Sequence, residues 1–140
     1  MTAPVRGTTV AIDGRGVLLR GRSGSGKSDL ALRLIDRGAV LVSDDYTELR
    51  GGHGRLLASA PDRIAGKIEM RGVGIVERPR VSDIPLCLVV ELDATPERLP
   101  DRPGTADIEG VVIPAVALAA LEASAPLKVE AALRLYGLSS

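Results

Sequence analysis

The chain of 140 residues is long enough for one domain with a hydrophobic core and too short for two domains of ordinary size. Its 18 basic and 18 acidic side chains cancel and its aromatic residues are two tyrosines, which disfavours nucleic-acid binding by a global field or by base stacking. A single cysteine excludes an intrachain disulfide or a thiolate metal cluster. No apolar run approaches the roughly 20 residues that span a bilayer and no signal-peptide pattern is seen, so we expect a cytoplasmic protein without a membrane partner.

The first third of the chain predicts a hairpin, a helix and a further strand. Residues 8–12 and residues 17–20 are apolar runs around a glycine-rich turn, which is typical of two paired strands. Apolar side chains then recur at helical spacing through residues 28–37. Residues 39–43 form a short apolar strand, and the two carboxylates that follow are expected at the carboxyl end of that strand.

The middle of the chain predicts more strands. Residues 46–50 and 55–60 flank a second glycine-rich turn, and residues 67–70 and 74–77 bracket a third. Residues 86–92 are the most apolar strand of the chain. The sequence therefore favours an α/β domain that contains several hairpins.

The last third is less regular. Residues 95–109 contain three prolines and are expected to form an exposed connection, a candidate mobile loop. Residues 111–121 do not indicate one type of element. Residues 126–138 predict a helix with a proline in its first turn.

The clearest functional motif lies between the second strand and the first helix, and we refer to it as the P-loop. It consists of Gly21, Arg22, Ser23, Gly24, Ser25, Gly26, Lys27 and Ser28. Glycines allow consecutive backbone N–H groups to turn toward a polyphosphate without clashes at Cβ. We therefore predict a nucleotide triphosphate site in which Lys27 contacts the β- and γ-phosphates and Ser28 holds Mg²⁺. The alternative is a flexible turn that carries a surface lysine.

Asp44 and Asp45 return toward Ser28 after one helix and one strand. One carboxylate is expected to hold the metal, and the other to accept a hydroxyl proton. An Asp-rich turn at the end of a strand is the alternative interpretation. Arg71 lies between Glu69 and two glycines, and a guanidinium at this position can hold a phosphate in bidentate fashion.

Together these residues resemble the carboxy-terminal catalytic domain of the HPr kinase/phosphorylase family, whose substrate HPr is the phosphocarrier of the bacterial sugar phosphotransferase system. The segments that carry the resemblance are residues 21–28 with the following Asp-Leu-Ala-Leu, Leu-Val-Ser-Asp-Asp at residues 41–45, and Ile-Glu-Met-Arg-Gly-Val-Gly-Ile at residues 68–75. The third segment is the family's signature.

The resemblance implies an α/β P-loop kinase domain related to phosphoenolpyruvate carboxykinase, with a mixed sheet and flanking helices. It implies a protein-serine kinase that uses ATP and Mg²⁺ to phosphorylate HPr or a homologue, and often reversal by phosphate with release of pyrophosphate. A homo-oligomer is also implied, and this chain is similar to the short forms of some proteobacteria.

Carried over to this chain, the family's roles are assigned as follows. The P-loop would bind the triphosphate, Ser28 and Asp44 the metal, and Asp45 would be the general base that accepts the seryl proton. Glu69 would join the metal or its water shell, and Arg71 would touch the phosphates. Lys27, the metal and alignment would supply most of the catalysis.

This chain differs from the family in two segments. Arg6 stands where the family has a histidine, and a guanidinium can hold phosphate but does not exchange a proton near neutral pH. Residues 118–125 read Leu-Ala-Ala-Leu-Glu-Ala-Ser-Ala where the family has a basic Pro-Val-Arg-Pro-Gly-Arg-Asn segment. Two other functions stay open: a nucleotide-binding regulator with little catalysis that signals through a partner, and a small-molecule kinase.

Overall fold

The computed structural model describes residues 4–139, which form a mixed sheet with flanking helices, as predicted. The strands are β1 (Val5–Arg6), β2 (Thr8–Ile12), β3 (Arg15–Arg20), β4 (Val40–Ser43), β5 (Tyr46–Gly52), β6 (Arg55–Ser59), β7 (Lys67–Met70), β8 (Gly74–Glu77), β9 (Ile84–Glu91), β10 (Gly104–Ile108) and β11 (Val111–Ala117). The helices are α1 (Lys27–Asp36) and α2 (Ala125–Tyr136), with a short 3-10 turn at Asp62–Ile64. Within the described residues, no helix combines the length and the apolar character needed to cross a bilayer.

Strand β9 is the centre of the sheet. It pairs in parallel with β3 and, through its last residues, in parallel with β11, whereas β6 pairs with its first residues in the antiparallel sense. The main path of the sheet runs β1-β5-β6-β9-β3-β2-β4, and β10 extends it from β11. Strands β7 and β8 form a separate antiparallel hairpin. The P-loop follows β3 and therefore lies at the carboxyl end of two neighbouring parallel strands.

The core is divided between the two faces of the sheet. Val17 and Leu19 of β3 belong to the cluster that packs against Leu30 of α1, whereas Leu18 belongs to the cluster on the opposite face. This division follows from the alternation of side chains along a strand. Each such buried side chain stabilises the fold by about 1.5–3 kcal/mol. The packing of α1 on β3 therefore anchors the P-loop at both of its ends.

The two predicted helices are confirmed within about two residues at each end, a normal spread for helix boundaries. Pro126 lies in the first turn of α2, as expected. Residues 111–121, which indicated no single element, contain strand β11 up to Ala117. Residues 118–124 connect β11 to α2, and we call them the 118–124 segment.

The exposed connection predicted for residues 95–109 is wrong in its last third. Residues 104–108 form β10, in which Ala106 and Ile108 are buried while Thr105 and Asp107 are exposed. The prolines before this segment suggested a loop, but the alternation of apolar and polar residues within it is that of a strand buried on one face.

Candidate functional site

The P-loop connects β3 to the first turn of α1. Gly26 is the N-cap residue of α1 and has a φ angle of 95°, which favours glycine. A Cβ atom at this position would lie 3.1 Å from Cβ of Ala120 and 3.2 Å from Cδ2 of Leu121. The glycine is therefore required both by the backbone conformation and by the close approach of the 118–124 segment.

Lys27 is a buried cation that bonds to main-chain carbonyls. Its residue is 6% exposed, and its Nζ donates to the main-chain carbonyls of Gly21 at 2.6 Å and Arg22 at 3.1 Å. No ion pair joins Lys27 to an acid among residues 4–139, although buried charges in proteins are normally paired. The ammonium lies at the N-terminus of α1, where the helix dipole also favours an anion. This end of the helix is thus suited to an anionic ligand.

Asp44 connects four elements of the fold. Its residue is 7% exposed, and its Oδ1 accepts hydrogen bonds from Ser28 Oγ at 2.6 Å and from Thr8 Oγ1 at 3.0 Å. Its Oδ2 accepts the main-chain N–H of Glu69 at 2.9 Å. The structure thus brings Ser28 and Asp44 together, as the sequence predicted.

Asp45 follows with a φ angle of 66°, and its side chain is 48% exposed. Its main-chain N–H donates to Thr8 Oγ1 at 3.0 Å, and its carbonyl accepts the N–H of Gly7 at 2.7 Å. These hydrogen bonds hold the backbone of Asp45 in the left-handed conformation, which L-residues seldom adopt. The buried carboxylate of Asp44 is therefore suited to binding a fixed ligand. The half-exposed carboxylate of Asp45 is suited to contacting a second substrate from solvent.

Arg6 lies at the solvent-exposed edge of the site, between the P-loop and Asp45. Its Nη2 donates to Ser23 Oγ in the P-loop at 2.6 Å, and its Nε lies 3.2 Å from Oδ1 of Asp45. The guanidinium carbon lies 5.2 Å from the centre of the Tyr46 ring, within range of a cation–π contact. The sequence marked Arg6 as a difference from the family that can still hold phosphate, and the structure places it between the P-loop and Asp45.

Glu69 and Arg71 lie on the β7–β8 hairpin. Glu69 is the third residue of β7, Arg71 begins the turn, and both are exposed. Among residues 4–139 neither side chain forms a hydrogen bond or an ion pair, although the main chain of Glu69 contacts Asp44. The described residues contain no group of three or more His, Cys, Asp or Glu side chains arranged to hold a metal. The metal role of Glu69 and the phosphate role of Arg71 stay predictions.

Sequence reasoning missed three contributors to the site. Thr8 contacts both aspartates, Asp93 accepts the main-chain N–H of Arg22 at 2.8 Å, and Arg33 donates to main-chain carbonyls of the 118–124 segment. Each acts across a long sequence separation, and no local pattern marks such contacts. Asp93 had the weak signal of following the most apolar strand.

An ion pair also joins the two parallel strands next to the P-loop. Nε and Nη2 of Arg20 donate to the two carboxylate oxygens of Glu91 at 2.9 and 2.6 Å. These hydrogen bonds with Glu91, opposed in part by burial, raise the pKa of Arg20 above its ordinary value. The guanidinium thus stays charged and links the ends of β3 and β9.

The donor set fits a magnesium–triphosphate ligand. Ser28 Oγ and Asp44 Oδ1 are hard oxygen donors 2.6 Å apart, the type that Mg²⁺ prefers. Lys27 and the first N–H groups of α1 supply the positive potential that a polyphosphate requires.

Comparisons with known proteins point to one family. The family profile described as HPr Serine kinase C-terminal domain matches residues 1–136. The chain is 37% identical over 128 residues to the HPr kinase/phosphorylase of Limosilactobacillus reuteri, a match that covers 81% of this chain and 40% of the relative. It is 42% identical over 73 residues to the HPr kinase/phosphorylase of Clostridium botulinum (strain Eklund 17B / Type B), covering 52% of this chain and 24% of the relative.

Among solved structures, the Hpr(Ser) kinase/phosphatase from Coxiella burnetii superposes with a TM-score of 0.82 at 28% identity. That match covers 95% of this chain and 89% of the solved chain. The curated relatives are longer, and the chain aligns with less than half of the length of either one described above.

Proposed function

Because this chain belongs to the HPr serine kinase C-terminal domain family, we propose that it is an ATP-dependent protein-serine kinase whose substrate is an HPr-like phosphocarrier. The observation that carries the proposal is the buried Lys27, which forms no ion pair within residues 4–139, next to the Ser28–Asp44 contact. A P-loop kinase binds a metal–triphosphate with a lysine, a hydroxyl and a carboxylate, which follow one another in this order along the chain.

The P-loop and Asp44 bind the nucleotide in this proposal. The backbone N–H groups of the P-loop and the Nζ of Lys27 contact the triphosphate, and Lys27 leaves its loop carbonyls to do so. Ser28 and Asp44 hold Mg²⁺, with Glu69 at the metal or its water shell and Arg71 on the phosphates. When bound, Mg²⁺ supplies charge neutralisation on the phosphate oxygens.

Asp45 is the general base in this proposal. Its half-exposed carboxylate accepts the proton of the substrate seryl hydroxyl, while the seryl oxygen forms a bond to the γ-phosphorus and the bond to the β-phosphate oxygen breaks. The products are phosphoserine and ADP. Lys27 and Arg71 stabilise the charge on the transferred group, which is where most catalysis of phosphoryl transfer arises.

The test incubates the protein with labelled ATP, Mg²⁺ and the HPr homologue of the source organism. Wild-type protein should form phosphoserine, and Asp45→Asn should lower the rate by about 10²- to 10⁴-fold while it still binds ATP. Lys27→Ala should lose both ATP binding and transfer. Glu48→Gln, which removes an exposed carboxylate from β5, is the matched control and should keep the wild-type rate.

A nucleotide-binding regulator with little catalysis is the second candidate. The observation that favours it is the contact of Arg6 with Asp45, which occupies the proposed base. Tight ATP binding by the wild-type protein without transfer to the phosphocarrier would support this candidate and contradict the kinase. Adding inorganic phosphate to phosphorylated carrier tests the reverse reaction, with pyrophosphate as the product to be measured.

The proposal includes the cytoplasm as the compartment, because ATP and a phosphocarrier of sugar uptake meet there. A homo-oligomer stays part of the proposal by analogy with the larger enzymes. Light scattering of the purified chain measures its mass in solution.

A further inference from the structure

Arg6 joins the two parts of the site between which a phosphoryl group would move. One edge of its guanidinium reaches the P-loop at Ser23 and the carboxylate of Asp45, at 2.6 and 3.2 Å. We propose that Arg6 is a catalytic residue that contacts the terminal phosphoryl group of ATP, an inference that rests on the proposed kinase function.

The position of Arg6 follows from its neighbours. Ser28 and Asp44 would hold the Mg²⁺ of a bound nucleotide, so the terminal phosphates of ATP would lie beside these two residues. Asp45 accepts the proton of the attacking hydroxyl, so the phosphorus in transfer has to lie between Asp45 and the P-loop. Arg6 already contacts both sides of that gap.

The guanidinium has donors left for a ligand. A guanidinium carries N–H donors on all three nitrogens and stays charged at any physiological pH. Within residues 4–139 its Nε and Nη2 have acceptors and its Nη1 has none, and its side chain is 47% exposed. A phosphate oxygen is a stronger acceptor than the Ser23 hydroxyl because it is charged, so the bond to Ser23 is the one that the ligand replaces.

The backbone of Arg6 is held in register with the site. Arg6 pairs with Tyr46 across β1 and β5, and the next N–H, that of Gly7, donates to the carbonyl of Asp45 at 2.7 Å. Thr47 Oγ1 donates to the carbonyl of Gly7 at 3.0 Å. A donor fixed before the ligand binds needs little rearrangement during the reaction, which is the requirement for electrostatic catalysis.

The experiment compares affinities for ATP and ADP, because only ATP carries the terminal phosphoryl group. Titrations with Mg²⁺ present should show that Arg6→Gln lowers the ATP affinity roughly tenfold, the range of a charge-assisted hydrogen bond, and leaves ADP affinity within about twofold. Arg6→Lys keeps the charge and should recover part of the ATP affinity. Arg37→Gln, which removes an arginine paired with Glu130 between the two helices, is the matched control and should change neither affinity.

Equal losses for ATP and ADP, or no loss, would overturn the role of Arg6. Thermal melting of each variant without nucleotide shows whether the fold is kept. Because these titrations need no phosphocarrier, the two failures are distinguishable. An ATP-specific loss in Arg6→Gln without wild-type transfer to HPr would contradict the kinase function and reduce Arg6 to a residue that binds the terminal phosphate, whereas an unchanged ATP preference in Arg6→Gln would contradict the role of Arg6 itself.

Discussion

The hydroxyl of Ser28 donates a 2.6 Å hydrogen bond to Oδ1 of Asp44, which lies 16 positions later in the chain. The first turn of α1 and the end of β4 therefore share one buried carboxylate. Since Thr8 and the main chain of Glu69 donate to the same carboxylate, the candidate metal position is also a structural junction.

Ser28→Ala should separate metal binding from nucleotide binding. Loss of the hydroxyl removes one proposed Mg²⁺ ligand, so ATP affinity in the presence of Mg²⁺ should fall about tenfold while affinity in EDTA stays near the wild-type value. Calorimetric titration with and without Mg²⁺ measures both values. The control is Ser59→Ala. The hydroxyl of Ser59 contacts Asp83, and both residues are distant from the P-loop in the sequence. A loss of the same size in EDTA would show that Ser28 supports the loop and not the metal.

Thr8→Val should destabilise the fold although the two side chains have the same shape. Thr8 is fully buried, and its hydroxyl contacts the Asp44 carboxylate and accepts the N–H of Asp45. The substitution leaves that N–H without its acceptor, which costs about 1–3 kcal/mol. Urea unfolding gives the free-energy difference, and the same change at the exposed Thr105 is the control. Equal midpoints for the two variants would contradict the structural role of Thr8.

Gly26→Ala should damage the P-loop more than Gly24→Ala. Both glycines have positive φ angles, 95° and 82°, but a Cβ would meet other atoms within 4 Å only at Gly26. We expect Gly24→Ala to cost about 1 kcal/mol from backbone strain, and Gly26→Ala about 1–3 kcal/mol more from crowding against Ala120. Adding Ala120→Gly to Gly26→Ala should recover part of that difference in thermal unfolding. A double variant as unstable as the sum of the two single changes would show that Ala120 is not the cause.

Arg33→Gln should release the 118–124 segment from α1. Arg33 donates to the carbonyl of Ala120 and, at 3.0 Å, to that of Glu122. Without these bonds the segment keeps its hydrogen bonds to Glu91 and Lys128 but loses its link to α1, so its amide hydrogens should exchange faster and ATP affinity should fall several-fold. Hydrogen exchange read by mass spectrometry measures the first effect, with Arg37→Gln at the C-cap of α1 as the control. Unchanged exchange in residues 118–124 would show that Arg33 does not fix the segment.

The ion pair of Arg20 with Glu91 should stabilise the fold by an amount that does not vary between pH 6 and pH 9. The pKa of Arg20 is raised by its hydrogen bonds with Glu91, so the folded value lies above the unfolded one. Its contribution is then fully present below the unfolded pKa and is lost only as the pH rises through the folded value, far above this window. Arg20→Gln should cost about 1 kcal/mol at both pH values, since both side chains are about one-third exposed. A destabilisation by Arg20→Gln that doubles between pH 6 and pH 9 would contradict the raised pKa of Arg20.

The local elements were predictable because their signals are local. Helical spacing and the GRSGSGKS motif predicted α1 and the loop before it, and residues 67–70 and 74–77 match β7 and β8. Turn residues and side-chain periodicity act within a few positions, so they are readable without knowledge of the fold. Strand β10 was not predicted, because the prolines before it indicated a loop. That signal was given more weight than the alternation of apolar and polar residues within the strand.

The contacts that give the site its chemistry join distant positions. Arg6 and Asp45 are 39 positions apart, and Thr8 and Asp44 are 36 apart. Their pairing depends on β1 and β2 lying beside the ends of β5 and β4, an arrangement set by the whole sheet. No spacing rule relates such residues, because the order of strands is chosen by burial on both faces and not by neighbouring side chains.

By itself the sequence determined the P-loop, the strand that delivers Asp44 and Asp45, and the family resemblance, since each resides in a short run of residue types. Only the tertiary structure decided that Lys27 is buried without a carboxylate partner among residues 4–139, that Asp44 is buried while Asp45 is half-exposed, and that Arg6 spans from Ser23 to Asp45. The physical reason is that burial and charge pairing are properties of surfaces brought together by folding, whereas a motif is a property of neighbours in the chain.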